Sequence, residues 1–154
     1  MMFNPWRTLF LTTLAISANV SSAFGEDEFE REPILYSRTA PSDAVALLQT
    51  ALDGDKRNLD WNETTGYLPA VIEALGVSPA SQTLVFSKTS LQRHRIAPKS
   101  PRAIYFNDEV YVGYCRNGDV LEVSAVDPSL GAVFYTLSQE EAAAPRFLRE
   151  NDRC

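Results

Sequence analysis

The sequence predicts an α+β domain in which two N-terminal helices pack on a four- to five-stranded antiparallel β-meander. Three observations predict it. An apolar stripe with helical spacing runs through residues 44 to 52. From residue 83 onward, short β-branched and aromatic runs follow one another. The links between those runs are only a few residues long, and short links join antiparallel neighbours because parallel strands need a long crossover.

The first element is a leader over residues 1–25. Arg7 precedes an uncharged, mostly apolar run from Thr8 to Val20, then Ser21-Ser22-Ala23-Phe24-Gly25 and an acidic start at Glu26. A basic region, an apolar stretch and a small-residue exit are the parts of a secretory signal peptide. Ala23 and Gly25 suit the positions before the cut, with Ser21 and Ala23 as the second choice. The run is shorter than the roughly 20 apolar residues that a membrane span needs. The expectation is an exported protein, periplasmic or extracellular, with no membrane span after cleavage.

Residues 26–40 read as an extended acidic arm whose Ile34-Leu35-Tyr36 patch tucks against the core. A single α+β domain follows over residues 41–137. Ala44, Leu47, Leu48, Ala51 and Leu52 share one helix face, with Ser42 or Asp43 to cap its start and Gly54 to end it. A second, shorter helix is predicted at about 67–75, with Pro69 in its first turn and Gly76 at its C-terminal cap.

The strand candidates are 83–87, 103–106, 110–114, 120–126 and 132–137. Asn117-Gly118 is the strongest hairpin signal, since both residues tolerate positive φ. Residues 138–154 return to a polar tail in which Glu140 to Ala144 has room for one helical turn.

Composition narrows the chemistry. Fourteen basic and twenty acidic residues give a net charge of −6, which argues against a nucleic-acid binder with a broad basic face. One His and two Cys cannot supply the usual four N/S ligands of a zinc site, so no metal site is expected. The carboxylate pairs Asp108-Glu109 and Glu140-Glu141 are adjacent in sequence and face apart. Asp53-Gly54-Asp55 lacks the later ligands of a calcium loop and reads as a helix stop.

The odd stretch is 88–102. It holds Lys88, Arg93, His94, Arg95, Lys99 and Arg102, and no acid occurs between Glu73 and Asp108. Such a loop is a candidate site for a small anionic ligand, with Arg93, Arg95 and Arg102 as forked donors. The plainer alternative is that these arginines pair with the protein's own carboxylates. His94 is the only imidazole, but no activated nucleophile stands near it in sequence. No catalytic residue is assigned, and an enzyme is not expected.

Cys115 ends a predicted strand and Cys154 is the last residue. In an exported chain the two read most simply as a disulfide that pins the tail to the sheet. The other reading makes Cys154 the first residue of an incomplete Cys-x-x-Cys-His haem attachment motif.

One family resemblance bears on that choice. It is carried by Leu84-Val85-Phe86-Ser87-Lys88-Thr89-Ser90, by Pro101-Arg102-Ala103-Ile104-Tyr105-Phe106-Asn107-Asp108 and by Val110-Tyr111-Val112-Gly113. Ala125-Val126-Asp127-Pro128, Val133-Phe134-Tyr135-Thr136-Leu137 and Gly66-Tyr67-Leu68-Pro69 belong to it too. Over residues 41–154 the chain resembles the N-terminal part of uncharacterised secreted bacterial proteins that carry a cytochrome c-like haem motif.

The resemblance implies that Cys154 is the cofactor-binding first Cys of that motif. It implies haem c for a longer form, and no cofactor in this chain, which stops before the second Cys and the His. The expected role is then a non-catalytic module, or fragment, supporting periplasmic electron transfer with a redox partner protein. The alternative is a free-standing secreted domain that binds an anionic ligand through the 88–102 loop.

Overall fold

The computed structural model describes residues 28–151, so the expected signal peptide and Cys154 lie outside the described residues. The sheet dominates. Six strands, β1 (Thr83–Val85), β2 (Arg102–Phe106), β3 (Val110–Tyr114), β4 (Val120–Asp127), β5 (Gly131–Ser138) and β6 (Phe147–Arg149), lie in sequence order, each antiparallel to the next. Two helices precede them, α1 (Ala44–Asp53) and α2 (Leu68–Ala74).

This overturns the expected α+β arrangement of two N-terminal helices packed on a four- to five-stranded meander. The sheet has six strands, and the helices are short, of 10 and 7 residues. Gly54 ends α1, and no side chain caps the start of α2 at Tyr67. Below about 12 residues a helix in water is marginal, so both depend on what they pack against. The fold is a β-sheet with two short helical segments attached, α1 lying against β4.

The sixth strand comes from the segment expected to be a polar tail. Phe147 pairs with Leu137, and Arg149 with Tyr135. Glu140 to Ala144 makes bends rather than a helical turn. Over its described residues, 28–40, the expected arm also departs from an extended form, with a 3-10 turn at Glu28–Glu30 and further turns to Arg38. Its apolar patch does reach the core: Tyr36 is buried and Ile34 packs beside it. The Tyr36 hydroxyl donates to the Ala132 carbonyl at 2.8 Å, and the Arg149 guanidinium donates to the carbonyls of Tyr36 and Thr39 while lying 4.6 Å from the Tyr36 ring centre.

Strand alternation sorts the sheet into two faces. The inner face carries Ala103, Tyr105, Val110, Val112, Leu121, Val123, Ala125, Val133, Tyr135 and Leu137, all buried. They form one core with Val45 and Leu48 of α1 and Leu68, Val71 and Ile72 of α2. Each of the valines, leucines and the isoleucine among them contributes about 1.5–3 kcal/mol when fully buried. Neither described helix packs over the outer face. It presents Arg102, Ile104 and Phe106 on β2, Tyr111 and Gly113 on β3, Glu122 and Ser124 on β4, and Phe134 and Thr136 on β5.

The Asn117-Gly118 turn forms between β3 and β4. Asn117 takes the positive φ, at 56°. Gly118 is needed for a different reason: a Cβ there would meet the Cys115 carbonyl oxygen at 2.8 Å and the Gln92 Oε1 at 2.5 Å.

Candidate functional site

The β1–β2 connection, residues 86–101, is the basic loop, and it folds over one end of the outer sheet face. Glu122 holds it there. Its Oε1 accepts from the Ser90 hydroxyl at 2.9 Å and from the Leu91 amide at 2.6 Å. Gln92 is buried and fixes the loop a second time. Its Oε1 accepts from the Asp119 amide at 2.7 Å, and its Nε2 donates to the Val120 carbonyl at 2.9 Å. The side-chain amide thus satisfies backbone groups at the start of β4, which otherwise would cost desolvation without return.

The second oxygen of Glu122 faces Arg102, whose Nη2 lies 2.6 Å away with both side chains largely buried. The two residues sit on strands separated by β3, and the guanidinium crosses that strand over Gly113. A Cβ on Gly113 would overlap the Arg102 guanidinium. Arg102, Gly113 and Glu122 therefore form one unit: only a residue without a side chain lets the arginine lie flat enough to reach its partner.

Beside this unit is a cleft of about 440 Å³. Lys88 to Leu91 form its loop wall, and Arg102, Ile104, Tyr111, Gly113, Glu122, Ser124, Phe134 and Thr136 form its floor, with Glu150 at the far side. Its volume falls in the range of small-molecule sites, and it combines apolar rings with a few fixed polar groups, as such sites do. Tyr111 and Phe134 are 47% and 37% exposed on this face.

The arginines expected to bind a ligand are dispersed by the structure. Arg102 lines the cleft and is engaged by Glu122. Arg95 donates from Nη2 to both oxygens of Asp119, at 2.7 and 2.9 Å, outside the cleft. Arg93 is exposed on the 3-10 turn Arg93–Arg95. His94 is exposed on that same turn.

Cys115 is buried beneath the loop beside Ser90, and burial pushes its thiol above the usual range, with the Glu122 carboxylate adding to the effect. That state is the unreactive one. Among the described residues no group of three or more His, Cys, Asp and Glu side chains is placed to hold a metal ion. The chain's one imidazole, His94, stands exposed between Arg93 and Arg95.

The cleft residues that sequence reasoning missed are Tyr111, Ser124, Phe134 and Glu122. A signal for them existed. In 110–114 and 131–138 the residues alternating with Val110, Val112, Val133 and Tyr135 include Tyr111 and Phe134, so an aromatic falls on each strand's non-core face. Among the described residues no helix is long and apolar enough to cross a membrane. The chain matches no family model, no curated protein and no solved structure.

Proposed function

We propose that this chain is a non-catalytic binding module of an exported protein, and that its site is the cleft on the outer face of the sheet. One observation carries the reading. Glu122 holds the loop by two hydrogen bonds and Arg102 by an ion pair, so the cleft is shaped before any ligand arrives. A preformed site loses less ordering entropy on binding than one that must assemble.

The polar groups of this site do not form a reacting set. The Ser90 hydroxyl donates to a carboxylate that is already tied to an arginine, and no imidazole lines the cleft. A general base needs a free acceptor within reach of the proton it takes. Export rests on the leader, and a role beside haem in a longer chain rests on the resemblance and on Cys154. Neither involves the cleft.

Charge balance shapes what the cleft takes. Lys88 and Arg102 are offset by Glu122 and Glu150 along its lining, so net negative charge is not its selecting feature. This moves the expected anionic specificity of the 88–102 loop away from the cleft, leaving Arg93 and Lys99 on the loop's exposed side. Titration of the full chain with a mixed small-molecule library, followed by backbone amide shifts, tests the reading. Shifts clustered at Ser90, Tyr111, Ser124 and Phe134 are expected. Compounds that shift only the Arg93 to Lys99 segment would overturn it.

A further inference from the structure

The strand register aligns four outer-face residues in one row: Phe106 opposite Tyr111, Tyr111 opposite Ser124, and Ser124 opposite Phe134. Phe106 and Tyr111 are stacked, with ring centres 5.7 Å apart and planes 15° from parallel. Ser124 is the one small residue in the row. It leaves a gap between Tyr111 and Phe134, two strands apart, so roughly 9–10 Å between their backbones.

That gap has a chemical meaning. Stacked aromatic rings sit with centres about 4.5–7 Å apart. A span of roughly 10 Å thus holds one further ring, at a stacking distance from each wall. We propose that the cleft binds a ligand through a flat aromatic ring without net charge, which enters over Ser124 and continues the Phe106–Tyr111 stack to Phe134. The proposal rests on the cleft being the binding site and adds the ligand's chemical class.

Two further observations agree with this class. All three aromatics of the row are exposed, Phe106 at 39%, Tyr111 at 47% and Phe134 at 37%, so the row's apolar surface is unspent. The balanced charges around the cleft favour a neutral ring over a carboxylate or an ammonium group. The Arg102–Glu122 pair bounds the row's Gly113 side, where a ring substituent able to hydrogen-bond would meet polar groups.

The test uses the full chain and three probes followed by amide shifts: N-acetyltryptophanamide, a pentapeptide with one central Trp among alanines, and N-acetylleucinamide. Both indole probes are expected to shift Tyr111, Ser124 and Phe134, and the leucine probe to leave them unmoved. Binding of the free amide equal to the peptide marks a small aromatic compound as the source, and at least tenfold preference for the peptide marks an aromatic side chain; either supports the ring. Ser124→Phe fills the gap with a ring of its own and should weaken indole binding at least tenfold. Phe134→Ala removes one exposed wall and should weaken it severalfold, which keeps the test open if Ser124→Phe fails to fold. Leucine shifts equal to indole shifts would overturn the ring and leave the cleft standing. Absence of cleft shifts with all three probes, while other library compounds do shift them, would likewise overturn the ring alone.

Discussion

The Tyr135 hydroxyl donates to Oδ2 of Asp43 at 2.6 Å, joining residues 92 apart in the chain inside the core. The other oxygen of that carboxylate accepts the amides of Val45 and Ala46 at 2.8 and 3.0 Å, capping α1. One buried side chain therefore both starts a helix and locks it to strand β5. Burial, and then the hydrogen bond to Asp43, push the Tyr135 phenol far above its usual range.

Tyr135→Phe leaves the buried Asp43 oxygen without its donor and should cost roughly 1–3 kcal/mol of stability in urea unfolding. Asp43→Ala loses the cap as well, worth about 0.5–2 kcal/mol in itself. The double variant should lose less than the sum of the two, because they share one interaction. A raised pKa in the folded state contributes stability that is present below the unfolded value near 10 and declines as pH rises beyond it. Alkaline destabilisation should accordingly be milder in Tyr135→Phe than in the parent chain.

Asp127 gives the opposite pH dependence. Burial acts to raise its carboxyl, but the amides of Ser42, Ser129 and Leu130 and the Ser42 hydroxyl, at 2.6 to 3.1 Å, outweigh it and hold the group below the usual range. A depressed pKa contributes stability that is present above the unfolded value near 4 and is lost as pH falls through the folded one. Asp127→Asn turns two acceptor positions into a donor and should be clearly less stable at pH 7. The gap between variant and parent, read as urea midpoints, should narrow at pH 3 and below.

Arg102 and Glu122 should behave as a unit. Removing one partner of a largely buried pair typically costs about 3–5 kcal/mol, since the other charge stays behind unpaired. Arg102→Ala and Glu122→Ala should both be strongly destabilised, and Arg102→Met with Glu122→Leu should recover part of that loss. Only variants lacking Glu122 should lose hydrogen-exchange protection at the Leu91 amide, which donates to its carboxylate at 2.6 Å. Equal loss in Arg102→Ala would show that the loop is not held through Glu122.

Gln92→Ala removes the amide that stands in for a neighbouring strand at Asp119 and Val120. Asp119 is exposed and Val120 half-buried, so water replaces part of the loss and each hydrogen bond is worth roughly 0.5–1.5 kcal/mol. The variant should lower the unfolding midpoint and speed proteolysis within residues 86–101. Gln92→Glu keeps the acceptor but loses the donor, and should fall between Ala and the parent.

The parts of the fold legible in the sequence are those specified locally. The alternation through Val110–Tyr114 and Val120–Asp127 records which side meets the core, whereas the stripe from Ala44 to Leu52 does so only in part: Leu48 is buried, Leu47 stays exposed, and the fully buried Val45 lies outside the stripe. Strand β6 has no such record. Its three residues stand between Arg146 and Glu150, after Pro145, and become a strand only because β5 offers an edge at Tyr135, Thr136 and Leu137. The cleft was hidden for a related reason. Arg102 reaches Glu122 only across Gly113, a juxtaposition set by register between strands rather than by spacing along the chain. The basic loop stands out by its charge, but two of its arginines are paired internally, Arg95 with Asp119 and Arg102 with Glu122.

The clasp of Arg149 on Tyr36 and Thr39 orders events in time. The gripping side chain is made more than a hundred residues after the carbonyls it holds. While the polypeptide is being synthesised, the contacts of the 28–40 segment with Ala132 and Arg149 must wait until β5 and β6 have emerged. Early parts of the sheet can pair vectorially, hairpin by hairpin, but this segment must wait as a tether ahead of the folding domain. Its three glutamates and two arginines keep the stretch solvated in that interval, and its docking marks the completion of the fold.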